Sequence, residues 1–387
     1  MEAYLDNAAT TRVSAAVFEK MNQVFLNDFG NPSSMHKKGM DAERYIKEAK
    51  NEIAGILKCE PSEIIFTSGG TESNNMALIG TALANRRAGK HIITTRIEHA
   101  SVYEPLLFLE EQGFEITFVP VDNAGRVDVD ALADAIREDT ILVSVMYVNN
   151  EIGSVEPIAE ISKRIKEKKK DILFHVDAIQ AFGKIKIQPA KEGIDLMSVS
   201  GHKIHGPKGS GFLYVRAKTK IRPVIYGGGQ ERGMRSGTEN VPAIAGLSQA
   251  AKDMYAKLEQ NRTQMFALKE LLAEKLSAME GVTVNGIPEE GIRATAPHVL
   301  SVSFEGIRSE VLLHALEEKG VYVSSGSACS SNHPDISGTL VAIGVRKELL
   351  DATLRFSFST ETTKEEVEYA AECVAELLPK LRRFFRK

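Results

Sequence analysis

At 387 residues the chain can bury a large core and divide into two domains, because single cores stop growing beyond roughly 250–300 residues. Apolar residues make up 43% and charged residues 26%, the balance of a soluble globular protein, and a net charge of −4 provides no field for nucleic acid or anionic membrane. Three scattered cysteines, Cys59, Cys329 and Cys373, exclude a disulfide framework and any C-x-x-C zinc or redox pair.

The opening MEAYLDNAATT lacks the basic start and apolar core of a signal peptide, and no run of about 18 apolar residues follows. A reducing, cytoplasmic setting is therefore expected, with no membrane span. The N-terminus and GNPSSMH (30–36) read as loops. Residues 41–57 place Ile46, Ala49, Ile53, Ile56 and Leu57 at helical spacing, a helix with one buried stripe.

From residue 63 to 216 short apolar runs recur between longer amphipathic stretches. EIIFTS (63–68), HIITT (91–95), FEITFVPV (114–121), TILVSVMYV (140–148), DILFHVD (171–177), IDLMSVS (194–200) and GFLYVR (211–216) predict seven strands. Nearly continuous apolar character marks strands covered on both faces, and helical patterning between them predicts βα units and a mainly parallel sheet. The basic KEKKK at 166–170 reads as a solvated helix end.

Beyond residue 217 the rhythm changes. YGGGQERGMRSGTEN (226–240) is a long glycine-rich loop, and loops of that length in a compact domain are usually functional. One or two helices are expected over 243–280, then strands at 299–304, 321–325 and 353–359 with a helix at 309–319. The last helix starts at a Thr363/Glu366 capping box, and Pro379 is expected to interrupt or kink it.

Chemistry collects at the predicted strand ends, where ligands of open α/β sheets bind. TSGGTESNN (67–75) has the glycines and Thr71 of a phosphate cradle against a helix N-terminus, although a capped turn would look similar. In HVDAIQ, Asp177 ends a strand as a carboxylate that burial would penalise unless paired; it is either a helix cap or the partner of a cationic ring nitrogen, with Gln180 one turn on. His99 follows the second strand and either caps, stacks or moves protons. Asn150 follows the fourth. In SGHKIHG, Lys203 stands between His202 and His205 where the sixth strand ends. Lysine, acid and phosphate cradle are the set that a pyridoxal phosphate enzyme needs. Cys329, in SSGSACSS (324–331), has the small polar neighbours of an accessible thiol, free to act as a nucleophile. A metal set of Cys329, His333, His202 and His205 matches no standard zinc spacing, so no metal is expected.

These motifs, with YLDNAATT, GNPSSMH, EHASV, NNEIG and LRFSFS in order along nearly the whole chain, resemble the cysteine desulfurases. That family belongs to the class V group of the pyridoxal phosphate-dependent aspartate aminotransferase superfamily, and SSGSAC is similar to its branch with a long cysteine loop. The resemblance implies an α/β fold of type I. Its large cofactor domain would span residues 15–255, with a mostly parallel seven-stranded sheet, and its small domain would comprise 1–14 with 256–387 and carry the cysteine loop. It implies that Lys203 bonds pyridoxal 5′-phosphate, Asp177 faces the ring nitrogen, Gln180 faces the phenolic oxygen and His99 stacks on the ring. Gly70, Thr71, Ser200 and His202 would hold the phosphate, with Thr238 arriving from a second subunit of a homodimer. Asn150 and Arg355 would bind the carboxylate of L-cysteine, and Cys329 would take its sulfur as a persulfide, leaving L-alanine. Ser330 stands where the family often has threonine. The acceptor would be an iron–sulfur scaffold or a tRNA thiolation enzyme, with iron–sulfur contact at Cys329 during transfer. Other readings are a selenocysteine or kynurenine lyase, an aminotransferase, or a non-catalytic sulfur-relay scaffold of the same fold.

Overall fold

The computed structural model describes residues 1–325 and 336–385. Cys329 and His333 lie outside the described residues. The chain opens with a short strand, β1 (Ala3–Tyr4), followed by helices α1 (Ala15–Leu26) and α2 (Lys37–Leu57). Helix α2 starts earlier than its apolar stripe indicates because His36 caps it, Nδ1 accepting from the Gly39 amide.

The seven expected strands are present: β2 (Ile64–Thr67), β3 (His91–Thr95), β4 (Glu115–Val119), β5 (Thr140–Met146), β6 (Leu173–Asp177), β7 (Leu196–Ser200) and β8 (Gly211–Val215). Between them run α3 (Gly70–Asn85), α4 (Ala100–Glu111), α5 (Val129–Asp134) and α6 (Ile158–Lys168). The sheet order is β2-β8-β7-β6-β5-β3-β4, with β8 antiparallel to both its neighbours and all other pairs parallel. Burial follows the strand period of two. Phe66, Ile93, Val143, Val145, Val199 and Phe212 pack into one core with α2 and α6, whereas Ile65, Ile92, Leu142, Leu196 and Leu213 face cores built with α3 and α4. Both faces are thus covered, which is why these strands read as unbroken apolar runs.

The predicted 243–280 region forms two helices, α7 (Val241–Ala256) and α8 (Leu258–Ser277), parting at Lys257. Helix α7 joins the core of α1 and α2; α8 joins a separate one. That second core lies on a four-stranded antiparallel sheet of β9 (Val282–Asn285), β10 (Val299–Phe304), β12 (Ser324–Ser325) and β13 (Thr353–Ser357) in the order β12-β13-β10-β9. Helix α9 (Ser309–Glu318), strand β11 (Val321–Tyr322), helix α10 (Gly338–Ala342) and helix α11 (Lys364–Phe385) complete the described chain.

Three expectations need correction. The strand expected at 321–325 is two: β11 pairs with β1, an N-terminal strand that had read as loop, while β12 pairs with β13. Strand β9 had no forecast, being too short and too exposed to show a buried pattern. Pro379 lies within α11 without ending it, because Pro379 and Ala375, whose carbonyl loses its amide partner, are both exposed and water can serve that carbonyl. The Thr363/Glu366 box is formed, the Thr363 amide donating to Glu366 Oε2 at 2.6 Å and the Glu366 amide to Thr363 Oγ1 at 3.2 Å.

Candidate active site

The carboxyl ends of β2, β3, β5, β6 and β7 open on a cavity of about 410 Å³. Gly70, Thr71, His99, Asn150, Asp177, Gln180, Ser200, His202, Lys203 and Arg355, nominated from distant motifs, all line it. Thr238 does not; it is exposed on the glycine-rich loop.

Each side chain is held by local structure. Gly69, at φ +146°, takes a turn that a side chain would resist, and α3 begins at Gly70. A Cβ on Gly70 would stand 2.1 Å from Ile179 Cδ1, so the helix N-terminus reaches the cavity wall only because that position is glycine. Asp177, the last residue of β6, is buried and accepts from the Ile179 amide at 3.0 Å and from Asn74 Nδ2 at 2.8 Å. Burial pushes its carboxyl above the ordinary carboxylate range against the pull of those donors, His99 and Lys203. His99 is both a cap and a wall: Nδ1 accepts from the Ser101 amide at 3.0 Å at the start of α4, and the ring lines the cavity. Burial, with Lys203 and Arg355 acting against Asp177, holds its imidazole below the usual range.

Lys203 ends the short turn after β7 and its Nζ donates to the Ala8 and Ala9 carbonyls at 2.6 and 2.7 Å. His202 shares Nδ1 with Thr10 Oγ1 at 3.1 Å, and burial beside Lys203 pushes it down to about 4, leaving a neutral ring. Gln180 donates from Nε2 to Ala8 O at 3.0 Å. On β13, Leu354 and Phe356 enter the helix-covered core, so the strand alternation turns Arg355 the other way, to the cavity. There its guanidinium donates to Asn150 O and Asp6 Oδ1, both at 2.9 Å. A buried acid, a lysine, a helix N-terminus and a guanidinium on one cavity form a site for a planar cofactor carrying an anionic group, with a carboxylate beside it.

The model of the aminotransferase class-V family matches residues 3–370. The cysteine desulfurase IscS of Methanosarcina thermophila is 45% identical over 379 residues, 98% of this chain and 92% of its own. The chain belongs to the class-V aminotransferases, among the cysteine desulfurases. A solved NifS-like protein superposes with a TM-score of 0.93 at 39% identity, over 98% of this chain and all of its own. SspA, solved in complex with cysteine, superposes with a TM-score of 0.81 at 35% identity, over 93% and 100% of the two chains.

The cofactor of this family is pyridoxal 5′-phosphate, and the residues present in this desulfurase fit it. Asp177 is a buried carboxyl that a cationic ring nitrogen would return to its ionised form. The α3 N-terminus is bared to the cavity by Gly70. Arg355 Nε is buried and lacks an acceptor among the described residues, a donor suited to one more carboxylate oxygen. No group of His, Cys, Asp and Glu among the described residues is arranged for a metal ion, and no helix among them is long and apolar enough to cross a membrane.

Sequence reading missed several participants. Asn74 lies in the TSGGTESNN motif one turn after Gly70, so it faces the same way, and it donates from Nδ2 to Asp177 and, at 2.9 Å, to Ser101 Oγ. Asp6, Ala8 and Ala9 come from the N-terminal motif, which carried no chemistry of its own. Ser101 and Ser324 also line the cavity. His205, which had no assignable role, ties the N-terminal segment down through Nδ1 to Arg12 O at 2.9 Å.

Proposed function

We propose that this cysteine desulfurase binds pyridoxal 5′-phosphate through Lys203, accepts L-cysteine in the same cavity, and passes its sulfur to Cys329. The observation that carries this reading is the meeting of Lys203 and Asp177 on one cavity with the bared N-terminus of α3. When bound, the cofactor supplies an electron sink for negative charge developing at the substrate Cα.

The remaining work falls to the chain's own residues. Gly70, Thr71, Ser200 and His202 bind the phosphate, the helix N-terminus and the hydroxyls donating to its oxygens. Asp177 pairs with the ring nitrogen, Gln180 donates to the phenolic oxygen, and His99 covers the ring. Arg355, with Asn150, receives the substrate carboxylate and fixes which bond at Cα is presented. Lys203 Nζ, as a free amine, takes the Cα proton, and His99 assists later proton movements. The Cys329 thiolate attacks the substrate sulfur, forming an S–S bond as the C–S bond breaks. The balance is L-cysteine plus Cys329 thiol giving L-alanine plus Cys329 persulfide.

Thr238, exposed on the glycine-rich loop, is proposed to complete the phosphate site of a second copy, making the active form a homodimer. The iron–sulfur scaffold or tRNA thiolation enzyme as acceptor rests on the family likeness, and the cytoplasmic setting on that likeness and the scattered cysteines. Cys329→Ala tests the scheme. It is expected to keep the cofactor absorbance and lose transfer of labelled sulfur from cysteine to the protein; full alanine turnover by that variant would overturn it. Incubation with labelled cysteine and candidate acceptors then identifies the recipient.

A further inference from the structure

His298 precedes β10 and belongs to the small sheet, yet its ring reaches the cavity wall of the large one. Its Nε2 lies 3.0 Å from Gln180 Oε1, and the same amide's Nε2 donates to Ala8 O at 3.0 Å. A carbonyl can only accept, so the atom of Gln180 facing Ala8 must be the NH₂ group. The other end of the amide is then the oxygen, and the imidazole nitrogen opposite must carry the hydrogen. Nδ1 of His298 is left without a proton and has no partner among the described residues, although the ring is 1% exposed. A second proton there would sit, fully desolvated, near the ammonium groups of Lys184 and Lys269, so the ring stays neutral and the tautomer is fixed. The backbone is fixed as well, since Phe358 N donates to His298 O at 2.9 Å.

We propose that His298 is a positioning residue that, together with Ala8 O, locks the polarity of Gln180: its Nε2–H holds the amide oxygen away from the cavity and leaves the NH₂ group as the donor facing the bound group. The site would then select a ligand with an anionic acceptor at that point, which for pyridoxal phosphate is the phenolic oxygen in its ionised form. This rests on the cofactor-facing role of Gln180 proposed above. Without His298 only the Ala8 contact opposes rotation of the amide, and each rotated amide turns its oxygen towards that anion, exchanging attraction for repulsion.

Two measurements test it. In the cofactor-free protein, long-range ¹H–¹⁵N spectra are expected to show His298 as the Nε2–H tautomer; an Nδ1–H ring would overturn the proposal. In the reconstituted enzyme, the pH midpoint of the long-wavelength cofactor absorbance is expected to rise by about 0.5–1 pH unit in His298→Phe. It should stay near wild type in His298→Gln, whose amide keeps a donor, and the latter variant still reports if the former does not fold. The pair Gln180→Leu/His298→Phe should match Gln180→Leu alone, because His298 acts only through the amide. Additive shifts would make His298 a structural residue and sink the idea. A midpoint that moves in Gln180→Leu but not in His298→Phe would do the same, while one unmoved by Gln180→Leu would remove the role of Gln180 itself and the proposal with it.

Discussion

Arg355 Nη2 donates to Asp6 Oδ1 at 2.9 Å, joining the last strand of the small sheet to the N-terminal segment in the wall of the cavity. The guanidinium is 7% exposed and keeps Nε free of any acceptor among the described residues. Its orientation is therefore set before substrate arrives. Arg355→Ala is expected to raise the KM for cysteine about 10- to 100-fold, the worth of a charge-assisted contact, and Arg355→Lys is expected to recover little because the planar fork is lost. Initial rates of alanine formation measure this, and a near-normal KM in the lysine variant would contradict it.

Asn74 is the side chain that supports Asp177 from α3. Asn74→Leu removes one of the two protein donors to that buried carboxylate and strips Ser101 Oγ of a partner. A loss of a hydrogen bond to a charged group costs about 1.5–3 kcal/mol, so cofactor affinity should fall at least about tenfold. Equilibrium titration of the apoprotein with pyridoxal phosphate reads the change; unchanged affinity would show that Asp177 does not depend on this contact.

Gly70→Ala should weaken cofactor binding by about tenfold or more, through overpacking against Ile179 at the α3 N-terminus. The companion change Ile179→Ala removes the colliding Cδ1 and is expected to restore much of the affinity. If the double variant binds no better than Gly70→Ala, the clash is not the cause.

Glu156 is buried between the Val127 amide and Ser154, and burial pushes its carboxyl up to about 8. Its folded-state value lies above the unfolded one, so the folded chain holds a proton that the unfolded chain releases. The stability this contributes is full below about 4.5 and is lost as pH rises towards 8. Glu156→Gln keeps an acceptor and a donor in place without an ionisable group. It should raise stability by a few kcal/mol near pH 8, about 1.4 kcal/mol for each pH unit above the unfolded value, and change little near pH 4.5. Thermal unfolding at several pH values checks this, and parallel Tm curves for the two proteins would refute it.

The large sheet was legible because its strands are covered on both faces and leave unbroken apolar runs, and the site because strand ends put polar residues at fixed places in that rhythm. Asp177, Lys203 and His99 could be nominated on those grounds. What stayed hidden was supplied by the backbone or by pairing at long range. Ala8 and Ala9 act through their carbonyls, which no side-chain pattern reports. β1 is two residues long and exists only because β11 lies beside it. His298 gave no signal since a single histidine before an apolar strand reads as a loop residue, and its target is 118 positions away in the chain.

The N-terminal segment is stitched to β13 at several points: Ser357 N donates to Leu5 O at 2.7 Å, Ala8 N to Ser357 Oγ at 2.8 Å, and Asn7 Nδ2 to Ser357 O at 3.0 Å. Asp6 and Arg355 are 349 residues apart. During synthesis at about 5–20 residues per second, the segment around Asp6 waits roughly 20–70 s for β13 to be made. Asp177, Lys203 and the whole seven-stranded sheet are made well before then, and they already offer the N-terminal segment anchors, Gln180 Nε2 at Ala8 O and His205 Nδ1 at Arg12 O. What a nascent chain lacks until then is the Arg355 guanidinium, and the last strand to emerge is the one that completes the cavity lining.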